Sequence, residues 1–337
     1  MAKKTTKKKT LSRSLGKARA TKQDEFYTQL PDIEKELRHY TKHFREKTVL
    51  CNCDDPRVSN FFHYFTFNFQ KLGLKKLITT CYQNRDATLF SEHEDKHGLV
   101  LEYTGPPEGE PDKVPAPEDV GLRELEGDGD FRSSECVELL KQADIVVTNP
   151  PFSLYRKYVE HLMEYNKQFV IIGNHNAITY REIFNFIKAN QLWLGNSAPT
   201  AFRVPDHYEM RKTRSWRDED GNNWRSLGNA CWFTNLDIAK RHESIPLFEK
   251  YRKDEYEDFD NYDAINVPRV AHIPENYTGV MGVPITFLNK FNPKQFEIVG
   301  LIAGNIKGLA GIPSSTGKDG PYINGKLKYG RILIRRK

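Results

Sequence analysis

The chain reads as an α/β protein: a parallel sheet with helices on both faces. Three observations predict this. Short β-branched or apolar runs recur at 48–53, 76–82, 145–148 and 168–173, the length and character of strands buried on both faces. Helical patterns fall between them, at 58–72, 133–142 and 154–165. One run, Ile145-Val146-Val147-Thr148, ends in Asn149-Pro150-Pro151-Phe152. Two prolines there fix φ and hold the residues before them out of the helical region. An amide, a carbonyl and an aromatic ring are thereby presented at the carboxyl end of a strand, where open α/β sheets bind ligands.

Composition bounds the rest. A chain of 337 residues can bury a substantial core, and its net charge of +6 leans toward a polyanionic partner. No apolar run is long enough to span a bilayer, and the lysine-rich start lacks the apolar segment of a secretory signal. The five cysteines form no Cys-x-x-Cys pair, which argues against structural zinc and for a reducing compartment.

In chain order, residues 1–22 carry many Lys and Arg and no acid. They read as a basic disordered arm, either contacting phosphates or simply solvated. Asp24-Glu25-Phe26-Tyr27-Thr28 precedes a helical pattern over 32–44, with Pro31 suited to its first turn. The first strand, 48–53, leads into Asp54-Asp55-Pro56, either a helix cap or an acidic strand tip facing a ligand. The aromatic stripe Phe61, Phe62, Tyr64, Phe65 and Phe69 reads as core. No carboxylate ends the second strand, and Asp86 is the nearest. Residues 84–125 are polar and proline-rich and read as a hairpin or loop insertion. Asp130-Phe131 before the 133–142 helix reads either as a turn or as an adenine site, carboxylate to the amino group and ring to the face.

Asn174, His175 and Asn176 follow the 168–173 strand, at the same sheet end as Asn149 if the sheet is parallel. A helix over 180–189 and a strand over 191–194 come next. Residues 195–275 then change character. Arg203, Arg211, Lys212, Arg214, Arg217 and Arg225 stand among aromatics, around a buried strand at 230–234. Arginines suit guanine edges and phosphates, and asparagines suit adenine edges. The segment reads as a DNA-recognition region or as a solvated, loop-rich surface. Strands at 282–288 and 296–301 are expected to close the sheet and complete the core, with a strand or hairpin at 322–334 at the end.

The chemistry that fits Asn149-Pro150-Pro151-Phe152 is methylation of an exocyclic amine. Such an amine is a poor nucleophile because its lone pair is delocalised into the ring. Acceptors on both its N–H bonds, the Asn149 side-chain oxygen and the Pro150 carbonyl, draw it toward tetrahedral geometry. Phe152 then stacks on the base. Read alone, the string is also a proline turn closing a core strand.

The order of Asp24–Thr28, 51–62, 127–135, 144–154, 261–267 and 279–288 resembles the EcoRI-type adenine-specific DNA methyltransferase family, from about residue 22 to the C-terminus. The resemblance implies a Rossmann-like S-adenosylmethionine-dependent methyltransferase sheet over 23–194, with a DNA-recognition region over 195–275 and core-completing strands over 276–337. It implies S-adenosyl-L-methionine as cofactor, and no metal. It implies double-stranded DNA as partner and N6 methylation of a flipped-out adenine within GAATTC. Catalytic residues are then Asn149, Pro150, Pro151 and Phe152, and cofactor contacts are Tyr27, Thr28, Asp54, Asp55, Pro56, Asp130 and Phe131. DNA contacts are Asn174, Asn176, Arg203, Arg211, Arg214 and Arg225. A monomer is implied, in the cytoplasm of a prokaryotic cell, paired functionally with a restriction endonuclease. The chain departs from the cofactor-loop pattern in one respect: Ser59, Asn60 and Phe61 stand where glycines are usual. Two alternatives stay open: an amino-methyltransferase acting on RNA or a protein glutamine, and a catalytically decayed DNA-binding protein on the same fold.

Overall fold

In the computed structural model, which describes residues 26–53, 55–82, 97–106, 115–206, 208–304 and 306–337, the chain divides into two units. Residues 26–175 and 197–236 belong to the first, and 176–196 with 237–337 to the second. The basic arm, Asp24, Glu25, Asp54 and Asp86 lie outside the described residues.

The helices of eight residues or more are α1 (Leu30–Leu37), α2 (Asn60–Phe67), α3 (Ser134–Gln142), α4 (Tyr155–Glu164) and α5 (Arg181–Lys188). The strands begin with β1 (Thr48–Asn52), β2 (Lys76–Cys81), β3 (Leu99–Tyr103), β4 (Arg123–Glu124), β5 (Ile145–Thr148) and β6 (Gln168–Asn174). They continue with β7 (Trp193–Leu194), β8 (Phe202–Arg203), β9 (Ser215–Arg217), β10 (Asn223–Arg225) and β11 (Ala230–Thr234). The last are β12 (Ile265–Asn266), β13 (Met281–Pro284), β14 (Phe296–Ile302), β15 (Tyr322–Ile323), β16 (Lys326–Leu327) and β17 (Arg331–Arg336).

In the first unit the large sheet runs β4-β3-β2-β1-β5-β6-β11. Its centre, β2-β1-β5-β6, is parallel. β1 and β5 are buried at every position, as their near-continuous apolar sequences require. The edges are antiparallel, so the sheet is mixed rather than wholly parallel. β3 lies against β2 and β4 against β3, which turns part of the expected insertion into a sheet edge. β11 lies antiparallel on β6. α2 packs against β2, α3 against β1 and α4 against β6. Phe61, Phe62 and Phe65 of α2 are fully buried, each worth about 1.5–3 kcal/mol of hydrophobic stabilisation. Ser59 caps α2 by accepting from the Phe61 and Phe62 amides. α4 reaches β6 closely because Gly173 has no side chain; a Cβ there would lie 2.5 Å from the Tyr155 ring.

The arginine-rich segment of the first unit makes a separate three-stranded antiparallel sheet, β8-β10-β9. In the second unit the late strands form their own sheet, β12-β13-β17-β14, around Phe259, Tyr262, Val280, Ile302 and Leu333. The expectation that they complete the large sheet is corrected here. Their apolar alternation marks them as strands but does not choose their partners. No described helix is long and apolar enough to cross a membrane.

Candidate active site

The large sheet changes direction of winding between β1 and β5. From β1 the chain moves outward to β2, and later elements add on the other side, at β5 and then β6. Adjacent strand ends diverge at such a switch point and leave a crevice at their carboxyl ends. Two buried hydroxyls bond to Asn52 at this end of the sheet. Thr148 Oγ1 donates to the Asn52 carbonyl, and Tyr158 Oη donates to Asn52 Oδ1.

Asn149 follows at the tip of β5 and is 7% exposed. Its Nδ2 donates to the Phe26 carbonyl at 2.6 Å. A carbonyl only accepts, so this bond fixes the amide with Oδ1 on the opposite side. Oδ1 is buried and has no hydrogen-bond partner among the described residues. Pro150 is buried beside it, and Pro151 accepts from the Leu154 amide at 2.9 Å, closing the turn that starts α4. Phe152 is half-buried, its ring 5.6 Å from that of Phe26 and tilted by 41°. The sequence-predicted group Asn149, Pro150, Pro151 and Phe152 thus forms one wall of the crevice. The missed residue is Phe26, whose carbonyl orients Asn149 and whose ring leans on Phe152; the signal for it was its place in the Asp24–Thr28 string.

The segment around Phe26 ties the remaining elements together. The Phe26 ring also meets Phe202 at 5.7 Å and Tyr208 at 6.1 Å. Tyr27 N–H donates to the Arg203 carbonyl at 2.9 Å. Asn60 Nδ2, in the first turn of α2, donates to the Thr28 carbonyl at 2.7 Å. Thr28 is 2% exposed, and its Oγ1 is a second buried oxygen without a hydrogen-bond partner.

The loop after β1 lacks the usual glycines, yet Cys53 takes φ 88°, a left-handed conformation that glycine ordinarily supplies. Asp55 does not stand free at the strand tip. Arg57 donates to it from its backbone N–H at 2.9 Å, from Nε at 3.0 Å and from a terminal nitrogen at 2.7 Å. Pro56 between them is buried. Asp130 is held in the same way by Arg132, through the backbone N–H at 2.9 Å and Nε at 2.8 Å. Phe131 is turned inward, edge-on to Tyr158 at 5.0 Å and His161 at 5.4 Å. The ring is 8% exposed among these neighbours. Burial holds the His161 imidazole below its ordinary pKa, and its Nε2 has no hydrogen-bond partner. His175 is depressed by burial as well, which favours its neutral form.

The candidate DNA contacts divide. Arg203, Arg211 and Arg214 are exposed. Arg225 is not: at 9% exposure it donates to the Thr213 carbonyl at 2.5 Å and to Ser215 Oγ at 3.1 Å, and burial lowers its pKa. It fastens the three-stranded sheet instead of reaching outward. Asn174 Oδ1 accepts from Asn229 Nδ2 at 2.9 Å, next to the β6–β11 pairing. Asn176 falls in the second unit. Among the described residues no cluster of His, Cys, Asp or Glu is placed to hold a metal.

Comparison with known proteins bears directly on this site. A family model described as Adenine-specific methyltransferase EcoRI matches residues 14–337. Type II methyltransferase M.EcoRI of Escherichia coli is 50% identical, over 96% of this chain and 96% of its own length. Type II methyltransferase M.MgeORF184P of Mycoplasma genitalium is 37% identical over 95% of this chain and 98% of its own. M.MpnI of Mycoplasma pneumoniae is 36% identical over 95% and 97%. No solved structure matches the chain. With the family model spanning nearly the whole chain, including the Asn149–Phe152 wall, the chain belongs to the EcoRI-type adenine-specific methyltransferase family.

Proposed function

We propose that this chain moves a methyl group from S-adenosyl-L-methionine to N6 of an adenine flipped out of double-stranded DNA, within the word GAATTC that the family resemblance implies. The Asn149 amide carries the reading. Its nitrogen is engaged by Phe26, and its oxygen is buried and without a partner among the described residues, at the carboxyl end of β5. An unpaired buried acceptor costs about 1–3 kcal/mol, and an incoming N–H removes that cost. An exocyclic amine brings two such bonds, one for Asn149 Oδ1 and one for the Pro150 carbonyl.

A stacked adenine cannot reach this wall, so the base must leave the duplex. Phe152, braced by Phe26, replaces part of the lost stacking. With both N–H bonds held, the nitrogen lone pair is turned toward the methyl donor. The new N6–C bond forms as the S–C bond breaks, and the amine proton passes afterwards to water. No strong base is needed, which agrees with an Asn149 wall and a neutral His175. Positioning in a dry site supplies most of the rate. S-adenosylmethionine supplies the sulfonium methyl when bound. The residues proposed to hold it are Tyr27, Thr28, the 53–57 loop with Asp54, Asp55 and Pro56, and Asp130. The unpaired Thr28 Oγ1 supports the fit.

The large sheet is, in this proposal, a Rossmann-like cofactor platform. Recognition falls to residues 195–275, with Arg203, Arg211 and Arg214 as contacts and Asn174 as a further one outside that range. The working compartment is the prokaryotic cytoplasm, beside a restriction endonuclease blocked by the same mark. Long-read sequencing of plasmid from cells expressing the chain tests this. One N6-methylated word establishes acceptor and specificity together. Unmodified plasmid from cells with abundant folded protein overturns the proposal.

A further inference from the structure

The three-stranded sheet has two unlike faces. Phe202 points inward onto Phe26, on the same face as buried Arg225 and Asn223. The register sets Arg203 opposite Trp224, and Trp224 opposite Trp216. Directly opposed residues share a face. One guanidinium-bearing residue and two indoles therefore lie in a row across the outer face.

The two indoles are stacked, with planes 7° apart and centroids 6.2 Å apart. Trp216 is 43% exposed. Trp224 is fixed from the turn: its Nε1 donates to Asp218 Oδ2 at 2.7 Å, and Asp218 also accepts from the Asn222 backbone at 2.8 Å and side chain at 3.1 Å. Two of the chain's four tryptophans thus form a braced surface platform, where neither adds to the core. Arg211, Lys212 and Arg214, in the connection from β8 to β9, are exposed, whereas Arg217 stands opposite Asn223 on the other face and donates to its Oδ1 at 3.1 Å. The exposed acids of the segment are fewer than its cations: Asp206 and Glu209 in the β8–β9 connection, and Glu219 and Asp220 at the turn.

Resting on the DNA reading above, we propose that the Arg203–Trp224–Trp216 row is a stacking platform for a nucleobase unpaired when the duplex opens, separate from the adenine held at Asn149. Paired bases offer proteins their edges, and only an unpaired base offers a face. Flat, sequence-tolerant indoles suit that face, and Arg203 with the flanking cations suits the adjoining phosphates. The base opposite the departing adenine is the one the reaction must leave unpaired. A second copy of this chain is a poorer occupant, because it brings the same cations to the contact. The backbone bond from Tyr27 to Arg203 and the Phe26–Phe202 contact fasten the platform to the segment that orients Asn149.

The test uses the full chain and a duplex carrying the word identified by plasmid sequencing. It also uses the same duplex made abasic opposite the target adenine. Trp216→Ala and Trp216→Leu should each weaken binding to the intact duplex about tenfold, whereas Trp216→Phe should stay within about threefold. On the abasic duplex the wild type and Trp216→Ala should bind alike. The wild-type tryptophan fluorescence should be quenched by the intact duplex, and Trp216→Phe should lose most of that signal. Unchanged binding by Trp216→Ala, rescue by Leu as good as by Phe, or the same loss on the abasic duplex would overturn the platform. So would a dimer, seen by sedimentation, that Trp216→Ala dissolves. Failure of the DNA reading looks different: the folded wild type then binds neither duplex.

Discussion

Replacing Asn149 by alanine removes two groups with opposite effects on stability. The lost Nδ2 leaves the Phe26 carbonyl without its 2.6 Å donor, at a cost of about 1–3 kcal/mol. The lost Oδ1 was itself buried and unpaired, and its removal returns a similar amount, about 1–3 kcal/mol. Folding stability should therefore change little, with Tm within about 4 °C of wild type. Transfer should respond very differently. A preorganised hydrogen-bonding group aimed at the reacting centre is worth about 10²–10³ in kcat. Single-turnover transfer of labelled methyl to a cognate duplex should fall at least about a hundredfold on that scale. DNA affinity by fluorescence anisotropy should stay within about threefold, since one amide is a small part of a phosphate-dominated interface. Asn149→Asp separates the two roles. It keeps an acceptor toward the crevice but sets a second acceptor against the Phe26 carbonyl, so it should recover part of the rate while losing stability. Near-wild-type transfer by folded Asn149→Ala would refute the acceptor assignment. A Tm collapse accompanying the rate loss would assign Asn149 a structural role instead.

Three further outcomes are expected. Phe152→Ala should slow transfer about 10- to 100-fold by removing the stacking ring, and Phe152→Trp should recover much of it; full activity in the alanine variant would count against stacking. Arg203→Ala should weaken DNA binding and lower the salt slope by about one, measured by titration from low to moderate salt. Arg225→Ala should instead lower Tm, because its charge-assisted bonds are worth about 1.5–3 kcal/mol each and lie inside the sheet; the reverse pattern would show that the two arginines have been misassigned. For pH, burial holds His161 and His175 below the ordinary imidazole value of 6.5, so the unfolded chain binds protons that the folded chain does not. Their contribution is whole above that value and stability falls as pH drops below it. Melting curves from pH 7.5 to 5 should show the decline, with a shallower slope in His161→Gln; identical slopes would exclude His161.

The Asn149–Phe152 turn was legible because its signal is local. A β-branched run, two prolines and an aromatic residue specify a strand, a rigid exit and a ring without any long-range information. β1, β5, β6 and the helices between them were readable for the same reason. Partner choice was not. Leu99–Tyr103 is a good strand hidden in a proline-rich stretch, and nothing in it announces pairing with β2. The late strands alternate convincingly, but the sheet they join depends on contacts far away in sequence. Arg225 and Arg203 are the same residue type in one small sheet, yet register turns one inward and the other outward. Phe131 stands next to an aspartate, and its edge contact with Tyr158 of α4 could not be read from the local string.

Glu36 in α1 is wholly buried, and it accepts from the Ser197 backbone at 2.6 Å, from Ser197 Oγ at 2.7 Å and from the Tyr40 hydroxyl at 2.7 Å. That carboxylate clips the start of the arginine-bearing segment to a helix 161 residues earlier in the chain. The segment is therefore no detachable cassette. Grafted onto another scaffold it leaves its anchor behind, and the scaffold deprived of it keeps a buried carboxyl group with fewer donors. Under the DNA-recognition proposal, a new target word would then come through substitutions on the face of one small sheet, and not by exchanging whole modules.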